Sequence, residues 1–451
     1  SVFISVESIT MTVQIARFPI DDKSNGWSAV LSTRQPTSPL NTDQDVDWLI
    51  IGGGYAGLAA ARRLAELQPE ASVLVLEAGV VGENASGRNS GFAIDLPHAS
   101  STAEDWVEPG LRTIQVGRYA IQSLDRLIQE HRINCDWHAT GRYHAAVTEQ
   151  VTQRVLRRYE KNLQAWGEPY EWVEREALQS RLGTRYYHAA IYTPGTYLMN
   201  PAALVRGLAD TLPKSVRLHE NSPVIEVNLQ SKQPYARTAQ ATVHAKKVIL
   251  ATNAYSQLFQ VYGERQVPVL LFASLTKPLS AEQLTRLGSD KMWGVTPAHG
   301  VAGSTLRLTA DKRLLIRQGF EYSPDLQTTE ARRQQAKAMN LTLLEQRFPQ
   351  LGALELEHFW MGWLAVSKNH APAFGQIASH AYAVSCCNGS GIVRHTAAGM
   401  LIADVAAGVK NPLVDDFLAL GVANRIPPRP WRDWGVKTHL WWEMWRGQAE
   451  Q

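Results

Sequence analysis

Cysteine is scarce in this chain: the 451 residues include only Cys135, Cys386 and Cys387. Adjacent cysteines rarely bridge each other, and no C-x-x-C spacing occurs. The sequence therefore argues against a disulfide scaffold, a zinc site and a dithiol redox centre, and we expect no metal. A reducing, cytoplasmic location is the expectation that fits this cysteine usage.

Neither an excess of one charge nor a long hydrophobic run is present. The formal net charge is +3 with acids and bases interspersed, so nucleic acid is a poor candidate for a partner. No apolar stretch approaches the roughly 20 residues of a transmembrane helix. Residues 1–5 lack the features of a secretory signal, and Met11 is a candidate natural start. The 45% hydrophobic content predicts a globular protein of about two domains.

A glycine cluster directly behind a short apolar strand is the most informative pattern that is present. Residues 46–51 are followed by Gly52, Gly54 and Gly57, and Glu77 comes 20 residues after the last glycine. The glycines permit a tight turn, a close approach of backbone to a pyrophosphate, and close helix–sheet packing. Glu77 can accept hydrogen bonds from both ribose hydroxyls of an adenosine. Together they predict a dinucleotide site in a β-α-β frame.

A polar loop after Glu77 favours a flavin over a nicotinamide cofactor. Residues 78–92 are crowded with Ser, Gly and Asn, and they can present many backbone N–H groups to a phosphate or to the polar edge of an isoalloxazine ring. Arg88 adds positive charge to the same loop. The alternative at this point is a solvated turn with no ligand.

Further elements follow from periodicity and turn residues. Residues 20–45 are polar and predict an extended arm over the fold. The predicted helices are 101–131, 150–181, 201–212, 328–348 and a small-residue helix through Ala407; the predicted strands are 141–147, 215–228, 239–251, 267–275, 306–309, 314–318 and 382–385. The sequence predicts an α/β protein in which pieces of the nucleotide-binding domain are interleaved with other sheet segments.

The predicted domain boundaries follow from this interleaving. We expect an N-terminal arm at 1–45, a Rossmann-like FAD-binding domain built from 46–100, 200–255 and 355–410, and an inserted substrate domain with a mixed or antiparallel sheet from 101–199 and 256–354. Residues 411–451 form a tryptophan-rich helical tail, which we expect to dock on the body; the alternative is membrane contact.

Four segments make the resemblance to a known family plain. They are IIGGGYAGLAAARRLAE with Glu77, ENASGRNSGF, PVIEV with VILATNAY, and FWMGWLAVSKNHAPAFG followed by CCNGSGIVRHTAAGMLIADVAAG. The chain resembles the D-amino-acid-oxidase-like FAD-dependent oxidoreductases, the group that holds glycine oxidase, sarcosine oxidase and gamma-glutamylputrescine oxidase. The second and fourth segments are the specific ones, and the resemblance covers nearly the whole length.

The resemblance implies a set of FAD contacts. For the pyrophosphate and ribose it implies Gly52, Gly54, Tyr55, Ala56, Gly57, Glu77 and Ala78. For the ribityl chain and ring it implies Ser86, Gly87, Arg88, Asn89, Ser90, Gly91 and Phe92. For the adenosine side it implies Val224, Ala251 and Thr252, and at the second helix N-terminus Gly389, Ser390, Gly391 and Ile392. The dipole of that last helix would face the flavin edge where negative charge develops on reduction.

Departures from the family pattern bear on the substrate. Leu364 stands where glycine-oxidase-like members carry an arginine that binds the substrate carboxylate, so a simple α-amino acid held in the usual way is disfavoured. Arg307 and Arg317 are candidates for a second anchor; the alternative is that they are surface strand residues. Arg317 also resembles the position of the lysine that promotes the oxygen reaction in sarcosine oxidase.

Other positions bear on the flavin linkage and on the pocket. Met361 matches the cysteine that links flavin covalently in sarcosine oxidase, and because a methionine cannot form that bond we expect noncovalent FAD. Tyr255, Trp293 and Trp363, with Leu364, are candidates for the lining of a substrate pocket; their alternative is the hydrophobic core.

The resulting hypothesis is an FAD-dependent oxidase or dehydrogenase that oxidises a C–N bond of an amine or amino acid by hydride transfer to flavin N5. The imine product then hydrolyses, and oxygen or another acceptor takes the electrons. No catalytic residue is assigned beyond the candidates Arg317 and Arg307. Two other hypotheses stay open: a flavin monooxygenase, and a non-catalytic flavin-binding subunit of a larger dehydrogenase. The substrate and the oligomeric state do not follow from the sequence.

Overall fold

The predicted α/β class is confirmed in the computed structural model, which describes residues 12–19, 21–98 and 106–451. One sheet of nine strands and one of eight form the two main layers, and a two-stranded ribbon lies apart from them. The candidate start Met11, residues 1–5 and the first five residues of the predicted helix 101–131 lie outside the described residues.

The strands of the described chain are numbered from the N-terminus onward. They are β1 (Val13–Gln14), β2 (Gln44–Ile51), β3 (Val73–Leu76), β4 (Phe92–Ala93), β5 (Arg142–Ala146), β6 (Glu171–Glu174), β7 (Ala189–Thr193), β8 (Tyr197–Leu198), β9 (Val216–His219), β10 (Glu226–Asn228), β11 (Tyr235–Arg237), β12 (Thr242–Leu250), β13 (Val267–Thr276), β14 (Trp293–Pro297), β15 (Thr305–Leu308), β16 (Leu314–Tyr322), β17 (Leu356–Val366), β18 (Ala373–Ala378) and β19 (Ala381–Ser385).

The helices are numbered in the same way. They are α1 (Gly26–Ala29), α2 (Tyr55–Leu67), α3 (Ala85–Arg88), α4 (Val107–His131), α5 (Glu149–Val151), α6 (Arg157–Trp166), α7 (Arg175–Leu182), α8 (Pro201–Asp210), α9 (Ala281–Thr285), α10 (Glu330–Arg347), α11 (Gly391–Ala407), α12 (Leu413–Phe417) and α13 (Trp431–Arg446). A π-helical turn, Thr152–Leu156, joins α5 to α6, and 3₁₀ turns cover Asn253–Phe259, Pro349–Leu351 and Gln448–Glu450.

The nine-stranded sheet has a parallel centre. Strands β9, β3, β2, β12 and β19 lie side by side and run parallel, while β10, β11 and β18 add antiparallel strands. Both faces of its central strands are covered, which explains why β3 is a continuous run of buried Val and Leu. Helix α2 connects β2 to β3, so the predicted β-α-β unit is present, and α4 and α11 pack on the same face as α2.

The eight-stranded sheet has the order β17-β13-β16-β15-β14-β5-β7-β6 and is antiparallel except for the β14–β5 pair. Its side chains alternate between two faces. One face packs Val295, Leu306 and Ile316 against Leu343 and Leu344 of α10. Side chains on the opposite face line a cavity.

Three predictions differ from the structure. The predicted helix 150–181 is interrupted, because Gly167 takes a left-handed conformation (φ 69°) that ends α6, and strand β6 follows before α7 begins. The predicted boundary at residue 355 also differs, since β17 is the edge strand of the eight-stranded sheet and the nine-stranded sheet resumes only at β18. In addition, α4 lies on the nine-stranded side, although the sequence pattern places it in the substrate domain.

The arm and the tail both dock on the body. Strand β1 of the arm pairs with β10. Helix α13 of the tail is held through Asp433, which accepts a hydrogen bond of 2.6 Å from Tyr322. The buried Glu450 carboxylate accepts hydrogen bonds from the backbone N–H groups of Val147 and Thr148 at 3.0 and 2.8 Å. No helix in the described part of the chain combines the length and apolar character needed to cross a membrane.

Candidate functional site

One cavity of about 1180 Å³ collects residues from both large sheets, from the arm and from α13. Its volume is slightly above the range of ~300–1,000 Å³ common for small-molecule sites. Such a volume suits an extended cofactor together with a second molecule. The residues that line it fall into a nucleotide part and a second part on the free face of the eight-stranded sheet.

The glycine turn between β2 and α2 lines the nucleotide part. Gly52 has a φ of 112°, which side-chain-bearing residues rarely adopt, and a Cβ on Gly54 would lie 2.6 Å from Ser86 Oγ. Helix α2 has no side-chain cap at its N-terminus. The Tyr55 N–H donates to Ser86 Oγ at 3.3 Å, and the next N–H groups are available for an anion, with the positive end of the helix dipole behind them.

Gly57 has a packing role and does not face the cavity. A Cβ there would lie 1.8 Å from the carbonyl oxygen of Gly52, so only glycine allows α2 to sit this close to the turn. A similar contact occurs where α11 crosses α2, since a Cβ on Gly399 would lie 2.1 Å from the carbonyl oxygen of Ala56.

Glu77 stands at the end of β3 and lines the same cavity. Its carboxylate accepts hydrogen bonds from the Gly53 N–H at 2.7 Å and from the Gly79 N–H at 3.0 Å, and burial raises the pKa of the group despite these donors. Each carboxylate oxygen keeps a lone pair for a further donor. The arrangement fits the predicted role toward the ribose hydroxyls.

Arg88 is committed to protein partners, contrary to its predicted role as a positive charge for the cofactor. Its guanidinium donates to Asp22 at 2.8 Å and to the carbonyl oxygens of Glu83 and Met361 at 2.6 and 3.1 Å. Burial alone would raise the pKa of Asp22, but hydrogen bonds from Ser24 and Arg88 lower it to about 2. Arg88 therefore holds the loop in place, and Asp22 largely neutralises its positive charge.

The arm clamps this loop, a role that no pattern in the sequence predicts. The Asn25 side chain donates to the carbonyl oxygens of Gly82 and Gly87 at 2.9 and 3.2 Å. The indole of the buried Trp27 donates to the carbonyl oxygen of Asn89 at 2.7 Å. The polar composition of the arm carries no signal for these contacts, because they join residues about 60 positions apart.

The last predicted cofactor segment lies where α11 begins, with Ser390 as the N-terminal cap residue. Gly389, Gly391 and Ile392 line the cavity, whereas the Ser390 hydroxyl lies 2.8 Å from His98 Nε2. Burial, with nearby positive charges such as Arg142, lowers the pKa of His98 to about 3. A neutral imidazole is therefore placed at the N-terminus of α11.

The structure brings most of the predicted cofactor residues to one cavity. Those that line it are Gly52, Gly54, Tyr55, Ala56, Glu77, Ala78, Ser86, Arg88, Asn89, Ser90, Phe92, Val224, Ala251, Thr252, Gly389, Gly391 and Ile392. Four others stand behind the wall: Gly57, Gly87, Gly91 and Ser390. A Cβ added to any of these three glycines would lie within 2.3 Å of a neighbouring carbonyl oxygen or guanidinium nitrogen.

The cavity also contains an unpartnered donor that fits a phosphate. Asn84 Nδ2 is buried, belongs to a residue that lines the cavity, and has no hydrogen-bond partner among the described residues. A buried amide without a partner is costly, and a phosphate oxygen would satisfy it. Together with the α2 N-terminus and Glu77, it shows that the residues present fit the dinucleotide of FAD.

The candidate substrate residues divide into two groups. Tyr255, Trp363 and Leu364 line the cavity as predicted. Trp293 does not: it is 2% exposed in the core beneath the eight-stranded sheet, with its ring stacked on Phe348, so its prediction as a pocket residue is corrected.

The two candidate arginines also separate. Arg307 is buried behind the wall, where one guanidinium nitrogen donates to the carbonyl oxygens of Ser90, Gly91 and Met199 at 2.8–2.9 Å. It holds the loop and cannot anchor a substrate. Arg317 lines the cavity and donates to Thr305 Oγ1 at 2.5 Å. Burial lowers the pKa of Arg317 to about 10, so the group keeps its charge at neutral pH.

Several cavity residues are not predicted from the sequence. They include His98, His144, Thr296, Arg154, Arg158 and the α13 residues Trp431, Arg432, Gly435, Val436, His439, Leu440 and Glu443. His144 has a usable signal, a histidine inside a predicted strand. The π-helical turn and the tail have none, because tertiary packing alone brings them to the cavity.

Metal and thiol chemistry find no support in the described ranges. Among residues 12–19, 21–98 and 106–451, no three His, Cys, Asp or Glu side chains are arranged to hold a metal ion. The three cysteines are free and buried, and burial raises the pKa of each thiol. Cys387 lines the cavity in this protonated, unreactive state.

Comparison with known proteins agrees with this geometry. The gamma-glutamylputrescine oxidoreductase of Escherichia coli strain K12 is 28% identical over 404 residues, which are 85% of this chain and 89% of that protein. A probable oxidoreductase, OrdL, of Haemophilus influenzae is 26% identical over 388 residues, 82% of this chain and 85% of that one.

A solved structure shares the fold. Glycine oxidase from Geobacillus kaustophilus superimposes with a TM-score of 0.70 at 19% identity, and the match covers 85% of this chain and 100% of the other. Residues 47–405 match the family model DAO, described as FAD dependent oxidoreductase. Because that match spans most of the chain, the protein belongs to the DAO family of FAD-dependent oxidoreductases.

Proposed function

We propose that this protein oxidises a C–N bond of an amine or amino acid with noncovalently bound FAD. The supporting observation is that one cavity joins the dinucleotide residues to a second wall that carries Arg317 and His144. Two similar proteins are named for gamma-glutamylputrescine and for glycine, an amine and an amino acid, which supports the substrate class.

The residues of this chain would position the substrate and exclude water. When bound, FAD supplies the two-electron acceptor for the hydride of the amine α-carbon. The α11 N-terminus would stabilise negative charge in the cavity, and Arg317 would orient an anionic substrate group. Neutral amines need no strong side-chain base for this reaction, so neutral His98 is compatible with it. The imine released from the substrate reacts with water to give a carbonyl compound and ammonia or a smaller amine.

A product analysis tests this reaction. Purified protein is incubated with polyamines, N-methyl amines and amino acids, and carbonyl product and ammonia are quantified. One substrate class should give the carbonyl with equimolar ammonia or amine. An oxygenated product that retains nitrogen and requires NADPH would contradict C–N oxidation and favour a monooxygenase. Oxygen consumption in the same assay distinguishes oxygen from another electron acceptor.

The noncovalent linkage has its own support. Met361, which the sequence resemblance matches to the flavin-linking cysteine of sarcosine oxidase, lines the cavity, and burial keeps the Cys387 thiol protonated. Precipitation with acid should release all of the flavin into the supernatant. A yellow pellet after denaturation would contradict this part of the proposal.

We also infer a cytoplasmic location, because free, buried cysteines suit a reducing compartment. Cell fractionation with marker enzymes tests it, and recovery of the protein from a secreted or periplasmic fraction would contradict it.

A subunit of a larger dehydrogenase is the second candidate, and one observation favours it. Five tryptophans of α13 are exposed by 41–76%: Trp431, Trp434, Trp441, Trp442 and Trp445. Such a surface is unusual for a monomer. Light scattering on natively purified protein decides between the candidates, since a single active chain would reject the subunit hypothesis.

A further inference from the structure

A polar row crosses four neighbouring strands on the free face of the eight-stranded sheet. Arg317 of β16 is paired with Thr305 of β15, and Thr296 of β14 is paired with His144 of β5. Val295 is paired with Leu306, so the next position on each strand places Thr296 beside Thr305. All four residues line the cavity. Neighbouring strands are about 4.8 Å apart, so the row is about 14 Å long between its outer backbones.

The contacts of the Thr296 hydroxyl guide the assignment of the His144 tautomer. Thr296 Oγ1 lies 3.0 Å from His144 Nδ1 and 3.4 Å from an Arg142 guanidinium nitrogen, which can only donate. We assign the proton of this hydroxyl to the contact with His144 Nδ1, because it is shorter than the contact of 3.5 Å with the Tyr143 carbonyl oxygen. This places the ring proton of the neutral imidazole on Nε2.

No described residue forms a hydrogen bond with His144 Nε2. The side chain is 2% exposed, and Nε2 is buried with no hydrogen-bond partner among the described residues, although the residue lines the cavity. Burial and the nearby Arg142 charge hold the pKa of His144 well below its ordinary value. A buried N–H without an acceptor, on a residue that lines a cavity, is a position that a ligand oxygen would stabilise.

Arg317 supplies the second donor, at the opposite end of the row. Its one hydrogen bond among the described residues goes to Thr305, and no carboxylate of the described chain forms an ion pair with it. The neighbouring position on β13 is Ala273, which leaves room beside the guanidinium. The remaining N–H groups form the fork that binds a carboxylate in a bidentate manner.

The charge of the cavity wall points to the same class of ligand. The acidic residues that line it are Glu77, which binds backbone N–H groups, and Glu443 of α13. Apart from Arg88, which is paired with Asp22, the basic residues are Arg17, Arg154, Arg158, Arg317, Lys368 and Arg432. A concave wall with an excess of cations attracts anionic molecules and raises their local concentration.

We propose that this row determines specificity: Arg317 binds a carboxylate of the substrate, and His144 Nε2–H donates to a second oxygen acceptor further along the molecule. The preferred substrate is then an extended amino compound that carries a carboxylate and, up to about 14 Å away, a carbonyl or second carboxylate. A small α-amino acid would leave His144 without its acceptor. The inference rests on the proposed function, whose cavity it specifies.

Ligand binding to the oxidised holoprotein tests the row without turnover. Monocarboxylates and straight-chain α,ω-dicarboxylates of four to ten carbons are titrated, and dissociation constants are taken from the change in the visible flavin spectrum and from calorimetry. We expect a long dicarboxylate to bind at least ~10-fold more tightly than the monocarboxylate of equal length. Equal affinities at every length would overturn the inference.

Variants assign the effect to particular residues. His144→Phe should remove the ~10-fold preference and leave monocarboxylate binding within about twofold, whereas Arg317→Gln should weaken both. The matched control is His188→Gln, because His188 also bonds a threonine, Thr152 at 3.1 Å, but does not line the cavity. Should His144→Phe fail to retain FAD, Thr296→Val is measured instead, and it should reduce the same preference.

The outcomes separate this inference from the proposed function. A protein that shows the dicarboxylate preference but oxidises no amine keeps the inference and loses the proposed reaction. A protein that oxidises amines while His144→Phe binds every ligand as the wild type does loses the inference alone.

Discussion

The closest backbone contact in the nucleotide part gives a sharp prediction for Gly57→Ala. The added methyl carbon would lie 1.8 Å from the Gly52 carbonyl oxygen and 3.0 Å from its carbonyl carbon, both backbone atoms. Real Cβ atoms essentially never approach within 3.0 Å, so α2 must move by more than 1 Å relative to the turn. No rotamer change can relieve a clash between two main-chain segments.

The cost follows from this displacement. Overpacking of a tight core costs about 1–3 kcal/mol, and a backbone clash belongs at the upper end, near ~3 kcal/mol. For a domain of ordinary size this is a fall of roughly 6–12 °C in melting temperature. The same movement shifts the α2 N-terminus away from the pyrophosphate position. We therefore expect Gly57→Ala to be purified with little or no FAD.

Absorbance at the flavin peak relative to the protein peak measures FAD content, and calorimetry measures the melting temperature. Gly435→Ala is the matched control: it lies in helix α13, and no atom comes within 4 Å of the added Cβ. Alanine is favoured over glycine in a helix by up to about 1 kcal/mol, so this variant should be as stable as the wild type or more so. A Gly57→Ala protein with full FAD and an unchanged melting temperature would refute the proposed close packing of α2.

Three further predictions concern the arm, the buried histidine and the tail. Asn25→Ala should raise the FAD dissociation constant by ~10-fold in equilibrium dialysis, because the loop loses two donors, to Gly82 and Gly87, worth about 0.5–1.5 kcal/mol each; unchanged affinity would show that the arm is dispensable. The pKa of His98 is about 3 in the folded state, and the unfolded value is about 6.5. Because only the unfolded state takes up the proton between these values, stability is full above pH 6.5 and falls as pH decreases. At pH 5 the loss in the free energy of unfolding is ~2 kcal/mol, and His98→Gln should abolish this loss. Melting temperatures measured against pH test it, and the same dependence on pH in both proteins would contradict it. Deletion of residues 431–451 should increase the quenching of flavin fluorescence by iodide, because this segment lines the cavity; unchanged quenching would show that the tail does not shield it.

Much of the nucleotide part could be predicted from the sequence, because its chemistry is local. The turn after β2, the cap of α8 at Asn200 and the start of α11 each depend on residues within a few positions of one another. Backbone conformation and helix termini are set by such short-range patterns. The spacing between the glycine turn and Glu77 is longer, but the length of the β-α-β unit fixes it.

The second wall could not be predicted in the same way. His144 and Thr296 are 152 positions apart, and only strand pairing brings them together. The sequence also could not distinguish Arg307 from Arg317: strand pairing places both on the same face of the sheet, opposite the face that packs on α10. They differ because Arg307 alone is bonded to the carbonyl oxygens of Ser90, Gly91 and Met199. A one-residue error in strand register would exchange the two faces.

The central claim is that this chain binds FAD and uses it to oxidise an amine. The most direct measurement is a visible spectrum of the purified protein, followed by anaerobic titration with polyamines, N-methyl amines and amino acids. We expect flavin peaks that bleach with one class of these compounds and return when an acceptor is admitted. A flavin spectrum that no compound of the panel bleaches would contradict the proposed reaction, and a protein that binds no flavin at all would contradict the assignment of the cavity.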